Sequence, residues 1–246
     1  MRHPFDLKFG VETSGLICGR DLVTGHAHDR HNTAYFGVSP SILHALCAHW
    51  QSAPLSAALD QYSFIDLGCG MGRAILLAAE MPFREVVGVE LNATLAATAQ
   101  KNIQAWESAG RVRCSTRVVC GDATEFQFPE NPCVVFLFNP FGGTVLRRLI
   151  KKIERAFAQR PGQLDLLYVN HECESLLTQH RGFIQLWSGA IYKSSEDEEA
   201  DRKILYNQPD GEYIASEYES CSAYRWTGVA RPGRNKPLAE NGQPRV

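Results

Sequence analysis

The stretch Phe64-Ile65-Asp66-Leu67-Gly68-Cys69-Gly70-Met71-Gly72-Arg73 decides the fold of this chain. It begins with apolar residues typical of a buried strand, passes through three alternating glycines and leads into the helical pattern Arg73–Glu80. Glycines let the backbone turn tightly and let a ligand approach where a Cβ atom would collide. The helix that follows begins with unpaired N–H groups and the positive end of its dipole. The turn therefore predicts a ligand site between a strand and a helix.

The alternation of strand and helix continues along the chain. Short runs rich in Val, Ile, Leu and Phe are typical of strands buried on both faces of a parallel sheet. These runs are Tyr62–Leu67, Glu85–Val89, Arg117–Cys120, Cys133–Phe138, Leu164–Val169 and Phe183–Trp187. The helical patterns are Ser41–Trp50, Arg73–Glu80, Ala93–Trp106 and Thr144–Ala158. This order predicts an α/β fold with a doubly wound, mostly parallel sheet and helices on both faces.

The flanks of this region differ in pattern. Residues 1–38 show no helical period and are predicted to form an N-terminal extension ahead of the domain, residues 39–227. The acidic run Ser194–Arg202 is predicted to be a solvated loop. From Gly228 onward Pro, Gly and Asn dominate, so residues 228–246 are predicted to form a mobile tail.

Composition excludes several classes of protein. The 246 residues are 44% apolar and 21% charged, and these fractions exclude a fibrous or mostly disordered chain. The formal net charge is −2. No run reaches the roughly 20 apolar residues needed to cross a bilayer, and Met1–Gly10 lacks the apolar core of a signal peptide. The eight cysteines include no Cys-x-x-Cys pair, so neither a disulfide framework nor a structural zinc is expected. We expect a cytoplasmic protein with no membrane partner.

Three further strands end in polar residues on the edge of the predicted sheet that carries the glycine turn. Glu90 ends the second strand, Asp122 follows the third, and Asn139-Pro140-Phe141 follows the fourth. Because open α/β folds bind ligands at the carboxyl edge of the sheet, these side chains are expected to converge with Asp66. A carboxylate at the Glu90 position suits the two hydroxyls of a ribose.

This set of residues resembles the motifs of the class I S-adenosylmethionine-dependent methyltransferases. Asp66 with its Gly-x-Gly-x-Gly turn resembles motif I, and the polar ends of the next three strands resemble motifs II, III and IV. The resemblance covers about residues 60–190. It implies a seven-stranded sheet, with Tyr213–Trp226 as its antiparallel final strand. It also implies S-adenosylmethionine as the cofactor and methyl transfer as the reaction.

The resemblance implies a role for each position of the cofactor site. Asp66 would help to hold the methionyl ammonium, Glu90 the ribose hydroxyls and Asp122 the adenine amino group. The other positions implied to bind the cofactor are Gly68, Cys69, Gly70, Gly72, Leu91, Ala123 and Asn139. No metal ion is expected at this site.

The acceptor is expected beside Asn139, Pro140 and Phe141. This motif is similar to the Asn-Pro-Pro-Tyr/Phe motif of enzymes that methylate amino groups of adenine or glutamine. There, the Asn side chain and the first Pro carbonyl accept hydrogen bonds from the amino group, and the ring stacks on it. This chain has one proline followed by Gly142-Gly143. Nitrogen and oxygen nucleophiles therefore both stay open, on a small molecule, a protein or an RNA.

The polar segment ahead of the first strand is expected to complete the site. Residues 13–38 are predicted to act as a lid over the substrate, with a plain surface loop as the alternative. His31 and Tyr35 are candidate general bases, and His171 after the fifth strand is a third. His26 and His28 with His31 could hold zinc, but their close spacing fits no strong zinc signature.

Two other functions stay open. A nicotinamide or flavin oxidoreductase would need Gly-x-Gly-x-x-Gly, whereas here the third glycine comes one residue early and Arg73 occupies its place. A methyltransferase-like domain could also bind the cofactor or a partner as a scaffold without catalysis.

The helix after Asn139 has a basic face. Its members are Arg147, Arg148, Lys151, Lys152 and Arg155. Such a face could meet an RNA, an acidic protein segment or a phosphate-bearing substrate, and a solvated helix surface is its default interpretation.

Overall fold

The structure is a computed structural model that describes residues 1–207 and 213–228. Two short strands, β1 (Leu16–Ile17) and β2 (Tyr35–Phe36), pair as an antiparallel ribbon near the N-terminus. The other strands form one sheet: β3 (Ser63–Leu67), β4 (Glu85–Glu90), β5 (Ser115–Cys120), β6 (Cys133–Phe138), β7 (Leu164–Val169), β8 (Phe183–Tyr192) and β9 (Tyr218–Trp226). Their spatial order is β5-β4-β3-β6-β7-β9-β8.

The sheet has the predicted mixture of parallel and antiparallel strands. β3 to β7 run parallel, whereas β9 lies antiparallel between β7 and β8. β3 is the first strand of this sheet in the sequence, and β4 and β5 follow it on one side. The chain then crosses to β6 on the other side of β3. Such a reversal of strand order opens a crevice at the carboxyl edge of the sheet. The predicted doubly wound, seven-stranded α/β fold is confirmed, including the antiparallel strand that ends at Trp226.

Seven helices pack around this sheet in the described part of the chain. They are α1 (Pro4–Phe9), α2 (Pro40–Gln51), α3 (Arg73–Ala79), α4 (Ala93–Ser108), α5 (Gly143–Ala156), α6 (Ser175–Thr178) and α7 (Ser195–Tyr206). One apolar core, with Trp50 and Trp106, joins α2, α3 and α4 to the sheet, and a second, with Leu149, lies under α5. Within the described residues, no helix combines the length and apolar content needed to cross a bilayer.

The prediction of a solvated loop at Ser194–Arg202 is wrong, because this acidic run lies in helix α7. The Ser194 side chain accepts a hydrogen bond from Asp197 N at 3.2 Å, and acids in the first turn suit the positive end of the helix. Asp201 is buried and lies 2.9 Å from Lys193 Nζ. One face of this helix is therefore buried, and it includes the charged residues Asp197 and Asp201. The acidic composition alone did not indicate this burial.

The N-terminal extension is built into the domain. Residues 4–9 form α1, although the sequence shows no helical period there, and Phe5 and Val11 belong to the core under α2, α3 and α4. The extension thus contributes side chains to the same core as α2, α3 and α4. The predicted tail, residues 228–246, lies outside the described residues apart from Gly228.

A buried arginine ties the extension to the glycine turn. Arg73, the first residue of α3, is 2% exposed, and its Nε donates to Thr13 Oγ1 at 2.7 Å. Its NH1 donates to the Gly37 carbonyl oxygen at 3.1 Å, and its NH2 lies 3.8 Å from the Asp6 carboxylate. Asp6 in turn accepts a hydrogen bond from Thr13 N at 2.7 Å. The residue directly after the turn thus holds both ends of the extension.

Replacing Arg73 with Met should destabilise the protein strongly. The Asp6 carboxylate would remain buried without its cation, which typically costs about 3–5 kcal/mol of unfolding free energy. Urea denaturation measures this loss. Arg181→Met at an exposed position is the matched control and should change the free energy by less than about 0.5 kcal/mol. Equal stability of the two variants would contradict the anchoring role of Arg73.

Candidate active site

A cavity lies at the carboxyl ends of β3, β4, β5 and β6. The glycine turn lines one side of it, and residues 32–38, here called the covering segment, line another. Its empty space, including the open mouth, measures about 940 Å³. The predicted cofactor residues that line it are Asp66, Gly68, Cys69, Gly70, Glu90, Leu91, Asp122 and Ala123. Side chains from three separate strand ends therefore do converge on one cavity.

Glu90 holds the glycine turn in place. Its Oε2 accepts a hydrogen bond from Gly70 N, and its Oε1 accepts one from Asn92 N, both at 2.8 Å. Burial raises the pKa of Glu90, and these backbone hydrogen bonds oppose the rise because they favour the ionised form. The carboxylate and the turn thus face one cavity and support each other.

Asp66 is a buried carboxylate without a protein partner. Its side chain lines the cavity, the residue is 3% exposed, and no described residue gives it a hydrogen bond or an ion pair. Burial, and then the neighbouring Glu90 carboxylate, raise the pKa of Asp66 well above its ordinary range. Because an unpaired buried charge is costly, this arrangement suits a ligand that brings its own positive charge.

The backbone at Gly70 passes directly under the Tyr35 ring. Gly70 has φ +53°, in the left-handed region, and a Cβ atom there would lie 2.1 Å from Tyr35 Cε2. The Tyr35 hydroxyl donates to the Thr13 carbonyl oxygen at 2.8 Å, which fixes the ring. The sequence predicts that a ligand approaches the backbone of the glycine turn. At Gly70, the Tyr35 ring of the covering segment makes this close approach instead.

Gly72 lies outside the cavity lining, contrary to its predicted contact with the cofactor. A Cβ atom on Gly72 would meet the Ala99 Cβ of α4 at 3.1 Å. The third glycine therefore serves close packing between the start of α3 and α4.

Asp122 is bound by residues of the polar N-terminal segment. Its carboxylate accepts from Thr124 N at 2.8 Å and lies 3.2 Å from His28 Nδ1 and 3.9 Å from His26 Nε2. These three side chains could hold a metal ion by their spacing. His28 Nε2, however, is hydrogen-bonded by the Arg148 guanidinium, which can only donate, so Nδ1 carries the proton toward Asp122. The arrangement favours a hydrogen-bonded chain over a metal site, and His31 is not part of it.

Asn139 is separated from the cofactor cavity. Pro140 and Phe141 line that cavity, whereas Asn139 lines a second cavity between β6, β7 and residues 213–219. The Asn139 side-chain oxygen accepts a hydrogen bond from the Tyr168 hydroxyl at 3.3 Å. Thr33 covers the backbone, because its hydroxyl donates to the Asn139 carbonyl oxygen and its N–H to the Pro140 carbonyl oxygen at 3.4 Å. The covering segment thus occupies the Pro140 carbonyl oxygen, one of the two oxygens expected to receive an amino acceptor, whereas the other, the Asn139 side-chain oxygen, is bonded to Tyr168.

The candidate bases are not placed to take a proton in either cavity. His31 and His171 line neither of them, and His171 Nδ1 lies 2.9 Å from Ser222 Oγ and 3.2 Å from Glu174. Burial raises the pKa of the Tyr35 hydroxyl, which already donates to backbone.

Comparison with known proteins identifies one domain of the chain. A family model described as a methyltransferase domain matches residues 64–160, the stretch that carries Asp66, Glu90, Asp122 and Asn139. Residues 64–160 therefore match a methyltransferase domain, in agreement with the class I S-adenosylmethionine-dependent methyltransferases that the sequence resembles. The sequence resemblance to this family is confirmed. No curated protein matches the chain.

Solved structures share the fold of this methyltransferase at low identity. PH1948 from Pyrococcus horikoshii, described as a "putative RNA methyltransferase", has a TM-score of 0.50 and 16% identity over 75% of this chain and 83% of its own. The [4+2]-cyclase SpnF has a TM-score of 0.50 and 16% identity over 76% of this chain and 81% of its own. Proteins described by two different reactions match equally well, so the fold alone does not specify the reaction.

S-adenosylmethionine is the cofactor of this family, and the cavity fits it. Its methionyl ammonium matches the unpartnered Asp66 carboxylate, and its ribose hydroxyls match the free lone pairs of Glu90. Leu91 and Ala123 offer apolar surface for the adenine in the same cavity.

Sequence reasoning missed Arg73 and Thr33 as parts of the methyltransferase site. Arg73 could have been found, because it is the only charged residue in the otherwise apolar helix α3 and stands where a dinucleotide fold has its third glycine. Thr33 carries no such signal. Its two hydrogen bonds cross 106 and 107 positions of sequence to reach Asn139 and Pro140.

Asp66→Asn should stabilise the methyltransferase at neutral and alkaline pH. Folding raises the pKa of Asp66 above its unfolded value of 3.8, so the folded protein binds this proton more tightly than the unfolded chain. Wild-type stability contributed by this group is complete below pH 3.8 and is lost as pH rises through the folded pKa. The variant escapes that loss, so its Tm should exceed the wild-type Tm at pH 8 and approach it near pH 4. Thermal unfolding across this range measures the gap, with exposed Asp60→Asn as control; a gap that widens toward acid pH would refute the assignment.

Gly70→Ala should destabilise the methyltransferase through two separable effects. The added Cβ would collide with the Tyr35 ring, and an L-residue in the left-handed region costs about 1–2 kcal/mol by itself. In a Tyr35→Ala background only the backbone cost of about 1–2 kcal/mol should remain. Urea unfolding of the wild type, both single variants and the double variant forms the cycle. Strictly additive losses would show that the ring and the turn do not touch.

Proposed function

We propose that this protein is an enzyme that transfers the methyl group of S-adenosylmethionine to a nitrogen or oxygen nucleophile. The observation that carries the proposal is the buried Asp66 carboxylate, which lacks a protein partner and faces the same cavity as Gly70 and Glu90. The match to a methyltransferase domain supports the reaction type.

Each strand end has a proposed task in holding the cofactor. Asp66 pairs with the methionyl ammonium, and Glu90 accepts the ribose hydroxyls while its other lone pairs hold Gly70 N and Asn92 N. Asp122 accepts the adenine amino group and remains oriented by its hydrogen bond from Thr124 N. Because these carboxylates are already fixed, little ordering is needed when the ligand binds.

Methyl transfer requires alignment and a dry cavity more than it requires a protein base. When bound, S-adenosylmethionine supplies a methyl group on a positively charged sulfur. Pro140 and Phe141 lie on the cavity wall where the acceptor would be aligned, and the covering segment excludes water. Because His31 lies outside both cavities and Tyr35 is engaged, positioning of the acceptor is the larger proposed contribution.

The acceptor would approach from the side of Asn139, which lines the second cavity. That cavity and the cofactor cavity share the walls formed by Thr33, Ala34, Phe36 and Phe138. An amino acceptor that used the carbonyl oxygens of Asn139 and Pro140 would take the place of the Thr33 donors. Residues 13–38 would then act as the substrate lid, and the acceptor could be a small molecule, a protein or an RNA.

Dinucleotide binding is disfavoured by charge. The buried carboxylates of Asp66 and Glu90 lie beside the glycine turn, where a pyrophosphate would bring two further negative charges. The position of the third dinucleotide glycine holds Arg73, which is buried in contacts with Asp6 and Thr13.

The cytoplasm is the proposed location. All eight cysteines are free, including the neighbours of the site Cys69 and Cys120, which suits a reducing compartment.

Cofactor binding tests the proposal directly. Calorimetry should show that S-adenosylhomocysteine binds and NADH does not. Glu90→Gln should weaken the binding by about tenfold to a hundredfold, because a charge-assisted hydrogen bond is worth about 1.5–3 kcal/mol. Glu85→Gln, at the far end of β4 and bonded to Ser63, is the matched control and should bind like the wild type. Absence of binding by the wild type, or equal weakening by both variants, would overturn the cofactor site.

Turnover separates an enzyme from a binding scaffold. Radiolabelled S-adenosylmethionine is incubated with panels of small amines and alcohols, peptides and total RNA, and label transfer is counted. We expect transfer to one panel and its loss in Phe141→Ala. Tight cofactor binding without transfer to any panel would favour the scaffold function instead.

A further inference from the structure

A second groove continues from the adenine end of the cofactor cavity. His28 and Asp122 line both spaces, so the two share a wall. Including its open side, the groove encloses about 1600 Å³. The rest of its lining comes from α5, from the loop between β5 and β6, and from His26, Ala27 and Arg160. The loop contributes Glu125, Gln127, Phe128 and Glu130, and α5 contributes Arg148, Lys151, Lys152 and Arg155.

The α5 wall of this groove is a line of cations. Positions 148, 151, 152 and 155 are three or four residues apart, so they lie on one helix face and extend over about 10 Å at a rise of 1.5 Å per residue. Leu149 and Ile153 are buried in the core from the opposite face. The helix is thus held with its basic face directed to the groove.

Three of these cations have no partner in the described part of the chain. Lys151, Lys152 and Arg155 make no ion pair and no side-chain hydrogen bond with residues 1–207 or 213–228. Like charges four residues apart repel and weaken a helix. The basic face therefore works against the stability of α5 unless a negative ligand covers it.

Helix α7 shows how this chain treats a charged helix face in water. Lys203 Nζ lies 3.0 Å from Glu199, and Arg202 lies 2.6 Å from the same glutamate. There each exposed cation has an acid three or four residues before it. On α5 the one acid is Glu154, and it pairs with His180 at 3.4 Å. The absence of pairing acids on the α5 face distinguishes it from a solvated face.

The opposite wall of the groove indicates the kind of anion. It offers the half-buried Phe128 ring, the Gln127 amide and the carboxylates of Glu125 and Glu130. A nucleotide suits both walls, because its phosphate is anionic, its base stacks on an aromatic ring and its amino groups donate to carboxylates. The carboxylates of an acidic peptide would be repelled by Glu125, whereas Glu130 lies 3.7 Å from Arg160 Nη1. A base can reach Phe128 only if it is unstacked, which favours a single strand.

We infer that the groove between α5 and residues 124–130 binds single-stranded nucleic acid. Its phosphates contact Lys151, Lys152 and Arg155, and one base stacks on Phe128. This binding site goes beyond methyl transfer, and it stands whether or not the bound strand is the methyl acceptor.

Fluorescence anisotropy with a fluorescein-labelled 12-nucleotide RNA of mixed sequence tests the inference on the full chain. The triple variant Lys151→Gln, Lys152→Gln, Arg155→Gln should bind at least about tenfold more weakly and lower the salt slope of log K by about 2, the value for three lost phosphate contacts to a single strand. The control Lys101→Gln, Arg113→Gln, Arg181→Gln removes the same charge from exposed sites elsewhere and should bind like the wild type. Phe128→Leu keeps an apolar side chain against Phe126 and Phe157 and should weaken binding several-fold through lost stacking.

Two further readouts keep the result interpretable. Both triple variants should have a Tm no lower than that of the wild type and should keep the wild-type affinity for S-adenosylhomocysteine, so failure of the groove is distinguishable from failure of the cofactor site. A 12-nucleotide DNA that binds like the RNA supports the inference. No RNA binding by the wild type, equal losses in the two triple variants, or tighter binding of polyglutamate or of duplex RNA would each overturn it.

Discussion

The hydrogen bond from Gly70 N to the Glu90 carboxylate is the constraint on which the rest of the site depends. It fixes the turn after β3 to the end of β4, and it brings two buried carboxylates to one side of a single cavity. Asp66 has no hydrogen bond or ion pair from the described residues, so the protein by itself leaves this buried carboxylate unpaired. A cavity that stores unpaired negative charge in this way is complementary to a cation, and the ligand's charge contributes to recognition as much as its shape does.

The parts of the site that follow from strand topology were predictable from the sequence. Asp66, Glu90 and Asp122 each end or follow a parallel strand, and parallel strands end at one edge, so their convergence required no knowledge of side-chain packing. Asn139 follows the same rule in the backbone, yet the residue lines the neighbouring cavity and its side-chain oxygen accepts a hydrogen bond from Tyr168. The direction of a side chain at a strand end depends on the local turn, and the φ of +39° at Asn139 is not visible in the sequence.

Contacts between distant segments account for what the sequence did not show. Tyr35 against Gly70 and Arg73 against Asp6 each join the extension to the turn, and neither pair has a spacing or a period that marks it. The acidic run in α7 was predicted to be a solvated loop, and this prediction failed for a related reason. Charge usually indicates solvent, but Asp201 is neutralised by Lys193 from outside the run. In both cases the tertiary partner, rather than the residue type, decides burial.

Thr33 affects the binding equilibrium of an acceptor as well as the structure of the site. It donates two hydrogen bonds to consecutive carbonyl oxygens, the pattern that an –NH₂ group would present at the same place. The resting protein thus contains an internal mimic of an amine. An amino acceptor using those oxygens competes with this mimic, and its apparent affinity is its intrinsic affinity reduced by the fraction of molecules in which Thr33 has moved away. Acceptors that use these oxygens therefore all lose affinity by this same fraction, whereas an acceptor bound elsewhere in the cavity does not.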